Sequence, residues 1–123
     1  AAQRAAANLV VLAGDSHNAW ANNLSIDGKA AGIEFATHSV TSPGFESSLS
    51  GIAPSDLVAA LRKANSGLAF SDTSQRGYTS LQFTPDAVTG RFHFLRTIRE
   101  RNTAMNGERR LSAQRGEQLL REI

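Results

Sequence analysis

At 123 residues, with 41% apolar and 20% charged side chains, the chain has the length and balance of one ordinary globular domain. No apolar run approaches the ~20 residues of a membrane span, no secretory leader is expected within these residues, and the absence of cysteine removes disulfides, thiolate metal sites and cysteine nucleophiles. The net charge is +2, yet residues 91–123 carry eight arginines against four glutamates and the rest sums to −2. This basic stretch has no aromatic after Thr97 and lacks the interleaving of a nucleic-acid surface, so no nucleic-acid partner is expected.

The opening "AAQRAAAN" reads as the last turns of a helix without a start signal. Residues 9–13 form a continuous apolar run of strand length, the pattern of a strand covered on both faces. That the chain opens inside an α-to-β unit suggests a C-terminal piece of a longer protein. From Trp20 a weak alternation predicts a strand to Ile26, and Asp27-Gly28 supplies hairpin-turn chemistry. "AGIEFATHSV" predicts the next strand, with Ile33, Phe35 and Thr37 on one face, and "TSPGFESSLSG" reads as loop. A helix is predicted over Ser55–Asn65, opened by Pro54 and closed before Gly67.

The remainder is strand-rich: "GLAFSD", "GYTSLQFT" and "RFHFLRTI", the last two joined by a "TPDAVTG" turn into an antiparallel hairpin. Residues 1–98 therefore form the structured part, and the basic tail 99–123 reads as a loose helix broken at Gly107 and Gly116, or as partly disordered. The fold class is mixed α/β, strand-rich with one clear helix.

The chemistry concentrates in "NLVVLAGDSHNAW", where the first strand ends in Gly14 and delivers Asp15, Ser16 and His17. A serine nucleophile needs a base within hydrogen-bond reach and oxyanion donors opposite. Serine esterases of the GDSL kind use a D-x-x-H histidine, but Gly14, Phe35 and Gly90 stand three residues before His17, His38 and His93. Alternatively Asp15 and His17, at i and i+2 of an extended turn, face the same way and offer a carboxylate and an imidazole to one cation. A third reading makes the pair structural, in a small non-catalytic β-rich interaction module.

Three ordered blocks, "VVLAGDSHNAWANNL", "IEFATHSVTSPGF" and "SQRGYTSLQFTPDAVTGRFHFLRTI", resemble the C-terminal part of PhoD-type alkaline phosphatases, within the calcineurin-like metallophosphoesterases. The resemblance spans about residues 8–98. It implies the C-terminal portion of an αββα sandwich and a multinuclear metal centre that hydrolyses phosphate esters, with Asp15 and His17 as metal ligands from the final G-D-x-H motif. Calcium, iron, zinc or manganese would suit these donors.

The early aspartate, G-D-x-x-D-like and N-H-E/D motifs of such enzymes are missing here, so the implied partner is the N-terminal remainder of the same enzyme, and the isolated piece is expected to be inactive on its phosphate-ester substrate. Exposed strand edges would favour self-association or domain swapping. Relatives are usually exported, which implies a periplasmic or secreted parent.

In the loop that follows the strand, Ser42 and Gly44 stand near the implied site wall. Arg76 could reach an anionic substrate, although a surface arginine beside a turn is its ordinary reading. His38 and His93 read as structural or exposed histidines, Gly77 as a strand-start glycine placed for close packing, and Trp20 as core or site wall.

Overall fold

A computed structural model describes residues 7–123; the helix end expected at the start lies almost wholly outside the described residues. Among the described residues the order is β1 (Val10–Ala13), β2 (Ala19–Ile26), β3 (Lys29–Ala36), α1 (Phe45–Ser48), α2 (Pro54–Ala64), β4 (Leu68–Asp72), β5 (Gly77–Phe83), β6 (Ala87–Leu95), β7 (Met105–Gln114) and β8 (Arg121–Glu122). They build two four-stranded sheets, ordered β1-β3-β2-β4 and β5-β6-β7-β8.

In the first sheet β2 and β3 pair as the expected hairpin, with Ile26 opposite Lys29. Asp27 and Gly28 both take positive φ, 51° and 74°, the conformation that matches a two-residue loop to strand twist. β1 runs parallel to β3, Val10 opposite Ile33. The apolar run predicted a strand covered on both faces, but β1 is an edge strand with Leu12 57% exposed. A continuous apolar run reports two apolar faces, and among the described residues Leu12 and Ala13 stay exposed.

The second sheet is antiparallel throughout. Here the tail departs from expectation: residues 105–114 are strand, paired with β6 along nearly its whole length, rather than helix or disorder. The Arg-, Glu- and Gln-rich composition suggested a helix. However, Leu111 and Ala113 alternate inward with polar neighbours outward, and pairing covers what would otherwise be the bare edge of β6. Strands on either side of residue 99 thus share one sheet. A smaller correction is that the predicted loop contains the one-turn helix α1. Helix α2 begins at Pro54, with Asp56 in its first turn and Arg62 and Lys63 in its last, matching the backbone dipole at both ends.

The two sheets pack face to face. Ile33 and Phe35 of β3 meet Val88, Phe92 and Phe94 of β6 and Leu111 of β7. The Phe35 and Phe92 ring centroids are 6.2 Å apart, and Phe70 reaches Phe92 at 5.1 Å. Each such buried ring contributes roughly 1.5–3 kcal/mol. Gly90 makes room for this: a Cβ there would sit 2.2 Å from Phe35 Cε1. The final segment returns to the start of the chain, where Gly116 N–H donates to Asn8 Oδ1 (2.6 Å), Gln118 Nε2 to the Ala7 carbonyl (2.9 Å) and Leu120 N–H to Asn23 Oδ1 (2.8 Å).

Candidate functional site

β1 ends at Ala13, and the chain coils through Gly14–Asn18 before β2 begins. Asp15 (φ 71°) and His17 (φ 60°) both occupy the left-handed region. Aspartate and histidine are among the residues that tolerate this best, and the strain that such residues hold clusters at functional sites. The extended geometry expected for positions i and i+2 is therefore replaced by a coiled turn.

Both side chains are exposed on this rim, and the Asp15 carboxylate has no protein partner among the described residues. His17 Nδ1 lies 3.0 Å from the Pro43 carbonyl. A carbonyl only accepts, so Nδ1 carries the proton and Nε2 keeps a free lone pair. Metal-binding histidines are commonly fixed in this way.

Ser16 has another task. Its Oγ accepts a hydrogen bond from Trp20 Nε1 at 2.7 Å, and no imidazole reaches it among the described residues. The serine-nucleophile reading lacks a base at this position. Trp20 itself packs edge-on against Phe45, centroids 6.0 Å apart, beside a cleft of about 330 Å³ lined by Gly14, Ser16 and Glu34.

Beneath the turn lies a buried polar network. Asn18, with no exposed surface, donates from Nδ2 to the Ser16 carbonyl (2.6 Å) and accepts from Phe45 N–H at Oδ1 (3.1 Å). Arg76, expected on the surface, is only 6% exposed. Its Nη1 donates to the carbonyls of His17 and Ser42, both at 2.7 Å, and its Nη2 pairs with Glu46 Oε2 at 3.0 Å.

Arg76 is presented there by the β4–β5 connection, where Asp72 Oδ1 accepts the backbone N–H groups of Ser74 and Gln75 and tightens the bend. Glu46 also accepts the Gly44 N–H, closing the network on the loop. Gly44 is buried, and a Cβ on it would lie 2.3 Å from Asn18 Oδ1 and 2.8 Å from Arg76 Nη2. Ser42 is half-buried, and its carbonyl is held by Arg76. Asn18 and Glu46 are site-supporting residues that the sequence did not single out; a lone Asn or Glu in a loop carries no periodic signal.

His38 is 3% exposed and structural: its Nε2 donates to the His93 carbonyl at 3.1 Å, and its ring lies 5.1 Å from that of Phe94. Desolvation by burial lowers its pKa, partly offset by that hydrogen bond. His93 lies on the outer face of the second sheet, as its position between Phe92 and Phe94 implied.

The profile of the PhoD-like phosphatases matches residues 1–92. The chain belongs to the PhoD-like phosphatase family. A solved structure described as "Structure of PhoD" superposes with a TM-score of 0.73 at 25% identity, covering 93% of this chain and 22% of that one. The chain thus spans about a fifth of that PhoD chain's length. No curated protein matches it. The family places the G-D-S-H turn in a phosphatase-related context, which the turn's length alone could not supply.

Proposed function

We propose that this chain forms part of a metal-dependent phosphatase or phosphodiesterase, to which Asp15 and His17 contribute two ligands of a multinuclear centre. The observation that carries this reading is the turn itself. An unpartnered carboxylate and an imidazole oriented through Nδ1 stand two residues apart, on left-handed backbone, above buried Arg76 and Asn18 and the half-buried Glu46.

The donor set fits the group. A carboxylate oxygen and a neutral imidazole nitrogen suit iron, zinc or manganese, and the carboxylate alone suits calcium. Bound metal would lower the pKa of water toward neutrality and offset phosphoryl charge. The protein's own part is to hold His17 in one tautomer through Pro43 and to fix the turn's height through Arg76. Ser42 and Gly44 shape the adjoining loop and stand on the substrate side in this reading.

Among the described residues there is no group of three or more His, Asp or Glu that could hold a metal ion. Two donors leave most of any cation's coordination sphere to other parts of a PhoD-like chain, so these residues alone should not turn over phosphate esters. The two packed sheets would then be the β-layers of an αββα sandwich, with the polar outer face of β5–β7 left open to solvent. Export of the whole protein is part of the same reading, through family resemblance; no described helix is long and apolar enough to cross a membrane.

Titrating Mn²⁺ into isotope-labelled chain tests the ligand assignment. Paramagnetic broadening should centre on residues 14–18 and 42–46 and vanish in D15N/H17A. Broadening centred elsewhere overturns it. Hydrolysis of p-nitrophenyl phosphate or its bis-ester by this chain, abolished by EDTA, would overturn the shared-centre arrangement.

A further inference from the structure

The outer face of the second sheet carries a cluster that the phosphatase reading does not use. The β5–β6 register sets Tyr78 opposite His93 and Ser80 opposite Arg91, and the β6–β7 register sets His93 opposite Glu108. Because Phe92 and Phe94 point into the core, His93 and Arg91 point out. Ser80 is diagonal to His93 on this face, a separation that side chains bridge.

The bridge is made. Ser80 Oγ is 2.8 Å from His93 Nε2, and His93 Nδ1 is 3.5 Å from Glu108 Oε2. Glu108 is an electrostatic neighbour that favours the tautomer with the proton on Nδ1, in which Nε2 is the lone-pair nitrogen and Ser80 donates to it. The imidazole is held on a third side by Tyr78, stacked at 4.6 Å and 19°. Glu108 is held in turn, because its Oε1 accepts from Arg110 and leaves Oε2 to the histidine. Nucleophile, base and base-orienting acid are thus in the order that activates a serine, and such sets are recognised by geometry rather than by chain position.

Beside Ser80 lies a polar cavity of about 240 Å³ lined by Gln82, Thr89 and Arg91. Arg91 has no ion-pair partner among the described residues. Its guanidinium and the Gln82 amide line this cavity and carry N–H donors of the kind that stabilise an oxyanion.

We propose that Ser80, His93 and Glu108 form a second, metal-independent site that transfers the acyl group of small carboxylic esters. Ser80 Oγ forms a bond to the ester carbon as its proton passes to His93 Nε2. The ester C–O bond then breaks, and that proton leaves with the alcohol. Water repeats the exchange, releasing the carboxylic acid and restoring the Ser80 proton. Glu108 is a positioning residue.

The test is covalent labelling of the chain by a fluorophosphonate in EDTA, with modified serines mapped by mass spectrometry. General-base assistance of this kind is worth about 10²–10⁴-fold, so Ser80 should be labelled on the order of 10² times faster than the exposed Ser50. H93Q should lose at least ~10-fold of that rate. E108Q should fall with it while E108D restores part, at unchanged melting temperature. Labelling of Ser80 no faster than Ser50, or undiminished in H93Q, overturns the proposal. So does p-nitrophenyl acetate hydrolysis in EDTA that is unchanged in S80A.

Discussion

Arg76 Nη1 lies 2.7 Å from the carbonyl oxygen of His17, fifty-nine residues away in sequence, and equally close to that of Ser42. One buried guanidinium therefore sets the separation between the G-D-S-H turn and the loop that follows β3. With Glu46 on its other amino group, it gives charge-assisted bonds in three directions from a planar fork that lysine cannot reproduce.

Arg76→Ala should therefore be among the most destabilising substitutions in the chain. It leaves two carbonyls without their donor and the Glu46 carboxylate without its ion-pair partner. Breaking a fully buried pair costs 3–5 kcal/mol; because Glu46 is a third exposed, about 3 kcal/mol is expected. Arg76→Lys should lie between the two. Urea unfolding midpoints measure both, and a loss below ~0.5 kcal/mol for the alanine variant would contradict the network described.

Gly77→Ala should be damaging for a different reason. A Cβ at Gly77 would sit 1.8 Å from the His93 carbonyl oxygen and 2.7 Å from His38 Nε2. Neither β5–β6 pairing nor the His38 bond survives that contact undisturbed. A loss of at least about 3 kcal/mol is expected, with weakened protection of the β5 amides in hydrogen exchange. Wild-type protection in a folded G77A would refute the close approach.

His38 predicts an acid-side loss of stability. Burial holds its pKa below the ordinary 6.5, so the unfolded chain binds this proton more readily than the folded one. Stability is full above about pH 6.5 and falls as the pH drops from there toward the lowered folded value. The local cause is visible: Nε2 donates to His93, so an added proton on Nδ1 would meet no acceptor. His38→Gln, which does not titrate, should flatten this part of the stability profile. An equally steep profile in H38Q would assign the effect to other groups.

Leu12 on β1 and Phe83 on β5 are 57% and 60% exposed, and β1 ends its sheet. Unpaired apolar edges template further strand pairing. The chain should therefore self-associate at high concentration, and Leu12→Lys should reduce this. Sedimentation velocity decides; a concentration-independent monomer in the unmodified chain would count against it.

What could be read in advance follows from how local each cause is. The β2–β3 hairpin was legible because Asp27-Gly28 dictates its own turn, and α2 because Pro54 and Gly67 bracket an apolar stripe. β7 was not, because its strand character comes from β6 beside it rather than from its own polar residues. Asp15 and His17 stood out as residue types at a strand end. Their left-handed backbone did not, nor did the burial of Arg76, which depends on a loop over thirty residues distant. The Ser80–His93–Glu108 set was invisible for the same reason: its members meet only through strand register.

The bonds from Gly116 and Gln118 back to Asn8 and Ala7 span 108 and 111 residues. Closing loops of that length carries a large entropic cost before any contact rewards it, so the seam should join late in folding, after both hairpins have formed. Synthesis from the N-terminus would leave β1 waiting for its clasp until residues 116–120 emerge. The half-made sandwich is then the species most exposed to chaperones and to misassembly, and substitutions at Asn8 should lower yield of folded protein more than they lower its final stability.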